Sequence, residues 1–330
     1  MSIPKKIFFT YSNISTLHED FKKNIQSIGD ANTDWSLELF DFNSSKLFLT
    51  KFFGEFYADL YESINPKIPP ARSDFFRYLK IYADGGVYLD IKSTLNKPLN
   101  SITQNCNKLT TSKWGGDFTG WGKQFELGAE RAYQQWFLIS SKKSTIVESL
   151  IRRVTLNLIF YEPGIHGIGK YGVLRTTGPI IFSQVLLGSK SSEFDTFQSD
   201  EVGLVYSIYG KNFSEHTKKF QKHYKHVLLP IINLERQEYL REKYKSEIKN
   251  LIQLEKKQNN FNNFSYYGPQ TKPYNFNLKS LYYAWVNDPT NIRVIKMLIY
   301  QLETLKHSDE LLQKMKKVLF LLEPFLLNKD

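Results

Sequence analysis

Short apolar runs and one stretch of helical periodicity alternate over the first forty residues. Residues 7–10 are apolar and β-prone, and the apolar side chains of residues 21–28 then recur at helical spacing. Residues 35–41 alternate between apolar and polar side chains, which is typical of a strand. A strand, a helix and a second strand in this order predict two parallel strands joined by a crossover helix.

A longer amphipathic pattern follows three prolines that lie between residues 66 and 70. Over residues 71–84 the apolar side chains recur at the spacing of one helical face. Gly85-Gly86 ends this predicted helix, because glycine adopts the left-handed C-terminal conformation without steric cost. The apolar run at residues 87–91 then predicts a short buried strand with Asp90 at its end.

The middle of the chain continues the alternation of strands and helices. The pattern predicts a strand at residues 135–139, a helix over residues 144–160, a glycine-rich loop over residues 164–172 and a helix that begins at Pro179. This succession predicts an α/β fold.

After residue 230 the composition becomes charged and helical, so we place a domain boundary there, between residues 1–230 and a helical C-terminal region, 231–330. Two predicted helices around Leu298 and Met315 resemble one tetratricopeptide-type helix pair. One pair is fewer than the roughly three repeats that such arrays need. The alternative is that these helices pack against the main domain.

The formal net charge of +11 indicates anionic partners such as phosphates or an acidic membrane surface. Over half of this charge lies in residues 211–257, where 12 Lys and Arg stand against 6 Asp and Glu. The alternative is that this basic stretch is a solvated helix face of mixed charge.

Cysteine content and hydropathy bear on the compartment. Cys106 is the only cysteine, which excludes an intrachain disulfide framework and fits a reducing environment. No apolar run reaches the roughly 18–20 residues of a membrane span, and the N-terminal residues lack the features of a signal peptide. We therefore expect a cytoplasmic protein without a signal peptide or transmembrane helix.

Three charged residues of the segment 72–93 are predicted to converge. Asp74 and Arg77 share one helix face, and Asp90 follows a strand at the edge where α/β sheets bind ligands. A carboxylate can hold sugar hydroxyls, a guanidinium holds oxygen atoms in a fork, and a second acid can carry a divalent cation. The alternative for Asp74 and Arg77 is a surface ion pair of little energetic weight.

Two runs within this segment resemble the signature of glycosyltransferase family 32: Ser-Asp-Phe-Phe-Arg-Tyr at residues 73–78 and Gly-Gly-Val-Tyr-Leu-Asp at residues 85–90. This family includes fungal α-mannosyltransferases and bacterial capsule and lipooligosaccharide sugar transferases. Weaker similarity lies at residues 3–11, 135–140 and 177–179. The resemblance therefore covers roughly residues 3–190.

The resemblance implies a GT-A-type, Rossmann-like nucleotide-diphospho-sugar transferase domain with a C-terminal helical appendage, and retention of anomeric configuration. It implies that Tyr11 lies by the nucleotide base, that Asp74 and Arg77 hold the donor sugar, and that Asp90 contacts ribose or metal. Gln135 would lie beneath the sugar ring near the anomeric carbon, with Gln134 as the rival for this role. Five further residues of the matching runs or next to them are substrate-binding candidates: Arg72, Tyr88, Lys92, Thr177 and Gly178.

One position departs from the family pattern. The family usually has a second acid two residues after Asp90, and the two acids chelate Mn²⁺ or Mg²⁺, whereas this chain has Lys92. A charged lysine cannot ligate a hard cation. Either Asp90 holds the metal with other groups such as His223, or the charge of Lys92 replaces the metal at the diphosphate.

The glycine-rich segment 164–171 nearly matches a phosphate-binding P-loop, but Tyr171 stands where a Ser or Thr should bind Mg²⁺, and no helix is expected directly after it. We therefore discount a nucleoside triphosphatase. A flexible loop that closes over the donor is the preferred interpretation.

The leading hypothesis is transfer of a hexose from a UDP- or GDP-sugar to a glycan or lipid-linked acceptor, by a protein that is peripheral on the inner membrane face. We expect no nucleic acid partner. A catalytically silent nucleotide- or glycan-binding module and an effector that glucosylates host proteins remain the alternatives.

Overall fold

The computed structural model describes residues 2–114, 132–210, 227–258, 292–304 and 309–326. Within these residues the protein has a mixed α/β architecture with a six-stranded, mostly parallel central sheet. The predicted fold class is therefore confirmed. The GT-A type of this α/β domain stays a prediction.

The central sheet has the strand order β2-β1-β3-β6-β5-β7, and β4 and β8 form a separate antiparallel pair. β1 is parallel to both β2 and β3, β6 is antiparallel to β3 and β5, and β7 is parallel to β5. The strands in chain order are β1 (Lys6–Thr10), β2 (Ser36–Phe40), β3 (Gly86–Leu89), β4 (Thr94–Leu95), β5 (Leu109–Thr111), β6 (Phe137–Ser140), β7 (Phe194–Thr196) and β8 (Leu204–Val205).

Helices surround this sheet and continue beyond it toward the C-terminus. Those of the main domain are α1 (Glu19–Asp30), α2 (Phe42–Phe53), α3 (Glu55–Ser63), α4 (Pro69–Asp84), α5 (Leu99–Thr103), α6 (Thr145–Ile159), α7 (Pro163–His166), α8 (Gly169–Thr176) and α9 (Pro179–Gly188). The later helices are α10 (Leu234–Lys243), α11 (Lys245–Gln258), α12 (Ile292–Thr304) and α13 (Asp309–Leu326).

Both faces of the central sheet are covered, because its strands are apolar on both sides. Phe8, Tyr88 and Leu138 belong to a large hydrophobic cluster that also contains the buried faces of α3, α4 and α6. Phe9 and Leu89 belong to a second cluster on the other side, with residues from α1 and α5. Neighbouring residues of a strand point to opposite faces, so the sheet is the middle layer of a three-layer structure.

The double glycine between α4 and β3 makes a turn that no other residue pair would fit. Gly85 and Gly86 both have positive φ, at 66° and 98°. A Cβ atom on Gly86 would lie 2.5 Å from the carbonyl oxygen of Lys6. The turn folds α4 back over β3, so the N-terminal half of the helix lies at the carboxyl end of the strand.

A buried lysine ties the other end of α4 to β2. Lys80 is almost fully buried, and its ammonium contacts Glu38 at 2.5 Å and Asp84 at 2.7 Å. The same ammonium lies 4.8 Å from the ring centroid of Phe40 and 4.6 Å from that of Phe48. Two carboxylates and two aromatic faces together compensate for the lost hydration of this charge.

Two parts of the sequence-based description were incomplete or wrong. The sequence analysis assigned no elements to residues 42–63, where the structure has α2 and α3, and Asp41 caps α2 through the backbone amide of Ser44. The segment 164–172 was predicted as a flexible loop without a following helix, but it forms α7 and the start of α8. Gly169 packs so closely on the backbone of Val227 that a Cβ would not fit.

The helices beyond residue 230 pack on the main domain. α10 lies against α3 and α6, and α11 lies against α6 and α13. Ile248, Leu298 and Met315 belong to the same hydrophobic cluster as α4 and α6. The helix pair predicted near the C-terminus is present as α12 and α13, while a domain boundary near residue 230 stays a prediction.

Among the described residues, no helix combines the length and the apolar character that crossing a bilayer requires.

α7 ends at a fully buried histidine. The ring of His166 stacks on Tyr161, with the ring centroids 5.4 Å apart, and its Nδ1 accepts a hydrogen bond from the backbone amide of Glu162 at 2.9 Å. Burial lowers the pKa of His166 from 6.5 to about 4. The imidazole is therefore neutral at physiological pH.

Acidification should destabilise the protein through His166. The unfolded histidine takes up a proton near pH 6.5 and the folded one only near pH 4, so the unfolded state binds more protons between these values. The contribution of His166 to the free energy of unfolding should therefore fall by on the order of 3 kcal/mol as the pH is lowered through this window. Urea unfolding at a series of pH values measures the effect.

The control is His166→Gln, since glutamine keeps an acceptor for the Glu162 amide but does not titrate. The free energy of unfolding of the wild type minus that of this variant should therefore fall by on the order of 3 kcal/mol between pH 6.5 and 4, because other titrating groups such as Asp74 contribute equally to both proteins. The same pH dependence in both proteins would contradict a buried, neutral His166.

Candidate active site

Four structural elements meet at one edge of the central sheet. β1 and β3 are parallel and end there, α4 passes over them with its N-terminal half, and the residues that precede the antiparallel strand β6 lie beside the end of β3. The backbone amide of Asp90 donates to the carbonyl of Trp136 at 2.7 Å, which fixes the two chain segments together. This is the edge where α/β sheets bind ligands.

Arg77 is the centre of this region. Its guanidinium contacts Asp74 Oδ1 at 2.8 Å, Asp90 Oδ1 at 3.3 Å and the carbonyl oxygen of Gln135 at 2.7 Å. The guanidinium carbon also lies 4.4 Å from the ring centroid of Tyr88. Arg77 is only 5% exposed, so these contacts replace nearly all of its hydration.

Asp74 is even more buried, at 2% exposure, and both of its oxygens accept hydrogen bonds. Oδ1 accepts from Arg77 and from Gln135 Nε2 at 3.1 Å, and Oδ2 accepts from Thr177 Oγ1 at 3.0 Å. Burial raises the pKa of Asp74 to about 7, against the opposing effects of Arg77 and Thr177. The buried positions of Asp74 and Arg77 rule out the alternative of a surface ion pair.

Asp90 lies at the boundary between this buried cluster and solvent. Its side chain is 26% exposed, and Oδ1 accepts a hydrogen bond from the Tyr88 hydroxyl at 2.7 Å. Burial raises the pKa of Tyr88 well above 10, so the tyrosine hydroxyl keeps its proton and donates it. Tyr88 and Arg77 thus fix Asp90 on its buried side, while part of its carboxylate faces solvent.

The two neighbouring glutamines have different surroundings. Gln135 is partly exposed, its Oε1 accepts from the Tyr78 hydroxyl, and its Nε2 donates to Asp74. Gln134 is 1% exposed and is bound to the Trp136 indole at 2.8 Å and to the carbonyl of Lys113 at 3.0 Å. Of the two rivals, the structure brings only Gln135 into contact with Asp74.

Other predicted site residues support the cluster or lie apart from it. Thr177 is fully buried and binds Asp74, as described. Gly178 caps α9, and a Cβ there would lie 2.8 Å from the carbonyl oxygen of Val173. The guanidinium of Arg72 stacks on Phe42 at 4.0 Å and donates to the carbonyl of Ile64 at 2.9 Å, so it does not contact the charged cluster.

Tyr11 lies directly after β1 at the same edge of the sheet. Its ring is partly buried and packs edge-on against Phe21, with the centroids 6.2 Å apart, and Phe21 in turn contacts Tyr209. Burial raises the pKa of Tyr11. The neighbouring Thr10 hydroxyl is 3.5 Å from that of Tyr88, which connects the end of β1 to the charged cluster.

Lys92 is partly buried and held by an aromatic residue far away in the sequence. Its ammonium hydrogen-bonds the Tyr206 hydroxyl at 2.8 Å and lies 4.0 Å from the centroid of the same ring. Burial alone would lower the pKa of Lys92, but the interactions with Tyr206 and Asp90 outweigh it and raise this pKa. Lys92 therefore remains charged.

Residues 18–108, which contain α4, β3 and Asp90, match a family model described as a glycosyltransferase sugar-binding region containing a DXD motif. This segment is therefore similar to a glycosyltransferase sugar-binding region. The match supports sugar transfer in general and confirms the resemblance to glycosyltransferases; the narrower assignment to family 32 stays a prediction.

A comparison with curated proteins gives no match. Among solved structures, a PaToxG glycosyltransferase is similar at 16% sequence identity and a TM-score of 0.40, over 74% of this chain and 87% of that chain. Since this likeness is low, the assignment rests on the family model.

Proteins with this sugar-binding region generally bind a nucleotide-sugar donor and a divalent metal. The donor set described around Asp90 does not fit the metal, because Lys92 stands where a second acid would ligate it and a charged ammonium cannot bind a cation. No group of three His, Cys, Asp or Glu side chains among them is placed to hold an ion, and Asp90 Oδ1 already binds Tyr88 and Arg77. His223 lies outside the described residues.

Sequence reasoning missed two tyrosines of the site. Tyr78 lies one helical turn after Asp74, and its hydroxyl contacts Gln135 Oε1 and the carbonyl of Thr177. The i, i+4 spacing to Asp74 was a usable signal for it. Tyr206 had no such signal, because its contact with Lys92 spans 114 positions.

Removing the guanidinium should cost far more stability than a surface charge does. Arg77→Met leaves Asp74 buried without its cation, so the free energy of unfolding should fall by about 3–5 kcal/mol. Adding Asp74→Asn to this variant should restore part of the loss. Urea denaturation measures all three proteins.

The matched control is Arg236→Met, which breaks an exposed pair with Glu62 at 3.1 Å and should change the free energy of unfolding by less than about 1 kcal/mol. If Arg77→Met lost no more than this control, the guanidinium would not be the centre of the site.

Proposed function

We propose that the protein is a hexosyltransferase that moves a sugar from a nucleotide diphosphate to a glycan or lipid-linked acceptor with retention of configuration. The observation that carries this proposal is the partly exposed pair Asp90 and Gln135, which is held in place by the buried ion pair of Asp74 and Arg77. A buried charged cluster is costly, and it is typical of a binding site rather than of packing.

Each residue has a role that follows from its exposure. Asp90 and Gln135 contact the donor, while Asp74 and Arg77 act on the sugar through them and fix their orientation. Tyr11 lies at the end of β1, where an aromatic face can stack on the nucleotide base. The base, either uracil or guanine, is selected by the surroundings of Tyr11.

The transfer exchanges one bond of the anomeric carbon for another. The bond to the diphosphate oxygen breaks, the acceptor hydroxyl oxygen forms the new bond on the same face, and the hydroxyl proton passes to the departing phosphate. Negative charge grows on the diphosphate as the sugar becomes cationic, so fixed charges and dipoles at this edge stabilise the transition state. The side-chain amide of Gln135, fixed by Tyr78 and Asp74, supplies such a dipole.

The direct experiment is a screen of nucleotide sugars for slow hydrolysis to free nucleoside diphosphate, with and without Mn²⁺. Hydrolysis of one donor supports the enzyme, and NMR of the released or transferred sugar gives the anomer. Tight binding of a nucleotide sugar without any turnover would instead favour the silent binding module.

Substitution of either member of this partly exposed pair should strongly lower turnover and leave the fold intact. Asp90→Asn and Gln135→Ala remove groups that we place against the donor, so each should lower kcat/KM at least tenfold, or about 1.4 kcal/mol of transition-state stabilisation. Donor hydrolysis and urea unfolding are measured side by side.

Asp195→Asn is the matched control, since this aspartate is 45% exposed and pairs only loosely with Lys108 at 3.8 Å among the described residues. It should keep full activity. Turnover of Asp90→Asn at the rate of this control would show that the edge of β3 is not the reaction site.

We also propose that the basic stretch of residues 211–257 holds the protein peripherally at the anionic inner face of a membrane. Its described part uses some of this charge within the fold, since Lys243 pairs with Asp59 at 2.8 Å and Arg236 pairs with Glu62 at 3.1 Å. Each remaining Lys or Arg near an anionic surface contributes about 1 kcal/mol of attraction.

The protein should therefore sediment with vesicles that contain anionic lipid and leave them at high salt, as the Debye length falls from about 10 Å at 0.1 M to about 3 Å at 1 M. Neutral vesicles are the control. Equal partitioning onto both, or onto neither, would assign these residues to a solvated face.

A further inference from the structure

A lysine at position 92 in place of the aspartate of the family pattern makes this region more positive by two charges, which is the charge of one divalent metal ion. A DXD motif has two aspartates separated by one residue. In this chain Asp90 stands at the first of these positions and Lys92 at the second. Two carboxylates and one divalent cation sum to zero charge. Asp90 and Lys92 also sum to zero, whereas adding a divalent cation to them would leave two uncompensated positive charges and set the ion against an ammonium.

The position of the ammonium is fixed by aromatic packing. Lys92 Nζ is bound to the hydroxyl of Tyr206 and lies over the ring, as described above. The ring of Tyr206 packs edge-on against Trp136 at 5.5 Å and against Trp114 at 5.8 Å between centroids. A lysine on a flexible surface loop would lack this support.

The backbone around Lys92 is held from three sides. The carbonyl of Lys92 accepts from the backbone amide of Ile208 at 2.8 Å, and the Ser93 hydroxyl donates to the carbonyl of Tyr206 at 3.0 Å. From α1, Asn24 Nδ2 donates to the carbonyl of Ser93 at 2.8 Å. The loop between β3 and β4 is therefore preorganised, and the ammonium is presented two residues after Asp90.

An ammonium has three N–H donors. Within the described part of the chain, Lys92 Nζ has one hydrogen-bond acceptor, the Tyr206 hydroxyl, so two donors remain for phosphate oxygens. Phosphate oxygens are the acceptors that a lysine serves best as a point charge.

We infer that Lys92 binds the donor's diphosphate in place of the divalent cation, so that donor binding and sugar transfer need no metal. The inference rests on the proposed function, since it assigns a residue for the diphosphate of the same donor. The lysine ammonium, a monovalent cation that is part of the chain, then takes the place at which relatives bind a divalent ion from solution.

The test measures binding of nucleoside diphosphates, UDP and GDP first and then ADP, CDP and TDP, to the full-length protein by isothermal titration calorimetry. Each titration is made in chelator and in Mn²⁺. The wild-type protein should bind one nucleoside diphosphate in chelator, with an affinity that Mn²⁺ changes by less than about tenfold.

Two substitutions of the lysine separate charge from structure. Lys92→Met should weaken binding in chelator by at least about tenfold. Lys92→Asp restores two acids separated by one residue, so it should bind poorly in chelator and gain at least about tenfold from Mn²⁺. Lys97→Met is the matched control, because Lys97 is exposed, follows β4 and binds the carbonyl of Glu201 at 2.8 Å; it should bind like wild type.

If Mn²⁺ raised the affinity of the wild type for a nucleoside diphosphate tenfold or more, the role of Lys92 would be overturned, while the result would still support a nucleotide-sugar transferase. Equal affinities of Lys92→Met and Lys97→Met would also overturn it. If none of the nucleoside diphosphates binds in either condition and no nucleotide sugar is hydrolysed, the proposed function itself fails.

Discussion

The burial of one guanidinium organises the edge of the central sheet at which β1 and β3 end. Arg77 belongs to α4, yet its partners come from the loop after β3, from Gln135 two residues before β6 and from the ring of Tyr88. A buried arginine without such partners would carry a desolvation cost of several kcal/mol, so the fold is stable only when these segments are in register. The ion pair with Asp74 and the exposure of Asp90 and Gln135 follow from that constraint.

The large elements were predictable because their signals are local. The helical period before Gly85, the apolar run of β3 and the rule that α/β sheets bind ligands at strand ends together brought Asp74, Arg77 and Asp90 to one place. α2 was missed, although its N-cap Asp41 is visible, because its apolar residues do not lie on one clear stripe. The glycine-rich segment was misinterpreted because its packing against the distant residues 227–231 leaves no local pattern.

Within the site, residues that are close in sequence and similar in type differ in whether they join the charged cluster, and this difference depends on backbone geometry. Arg72 precedes Asp74 by two residues, which is a rotation of about 200° around a helix, so its side chain leaves the face that Asp74 and Arg77 share. Whether Gln134 or Gln135 joined the cluster depended on the start of β6, and element boundaries are the least certain part of such a prediction. The burial of Asp74 and the contact between Lys92 and Tyr206 depend on the folded chain as a whole.

The turn at Gly85-Gly86 has a consequence for how this segment can evolve in length. Each residue inserted into α4 after Arg77 would rotate the preceding part of the helix by about 100° and move it by about 1.5 Å relative to β3. Because Gly86 is wedged against the backbone of Lys6, the turn cannot absorb such a change. The separation of thirteen residues between Arg77 and Asp90 is thus fixed by the fold, and this segment can accept substitutions but not insertions or deletions.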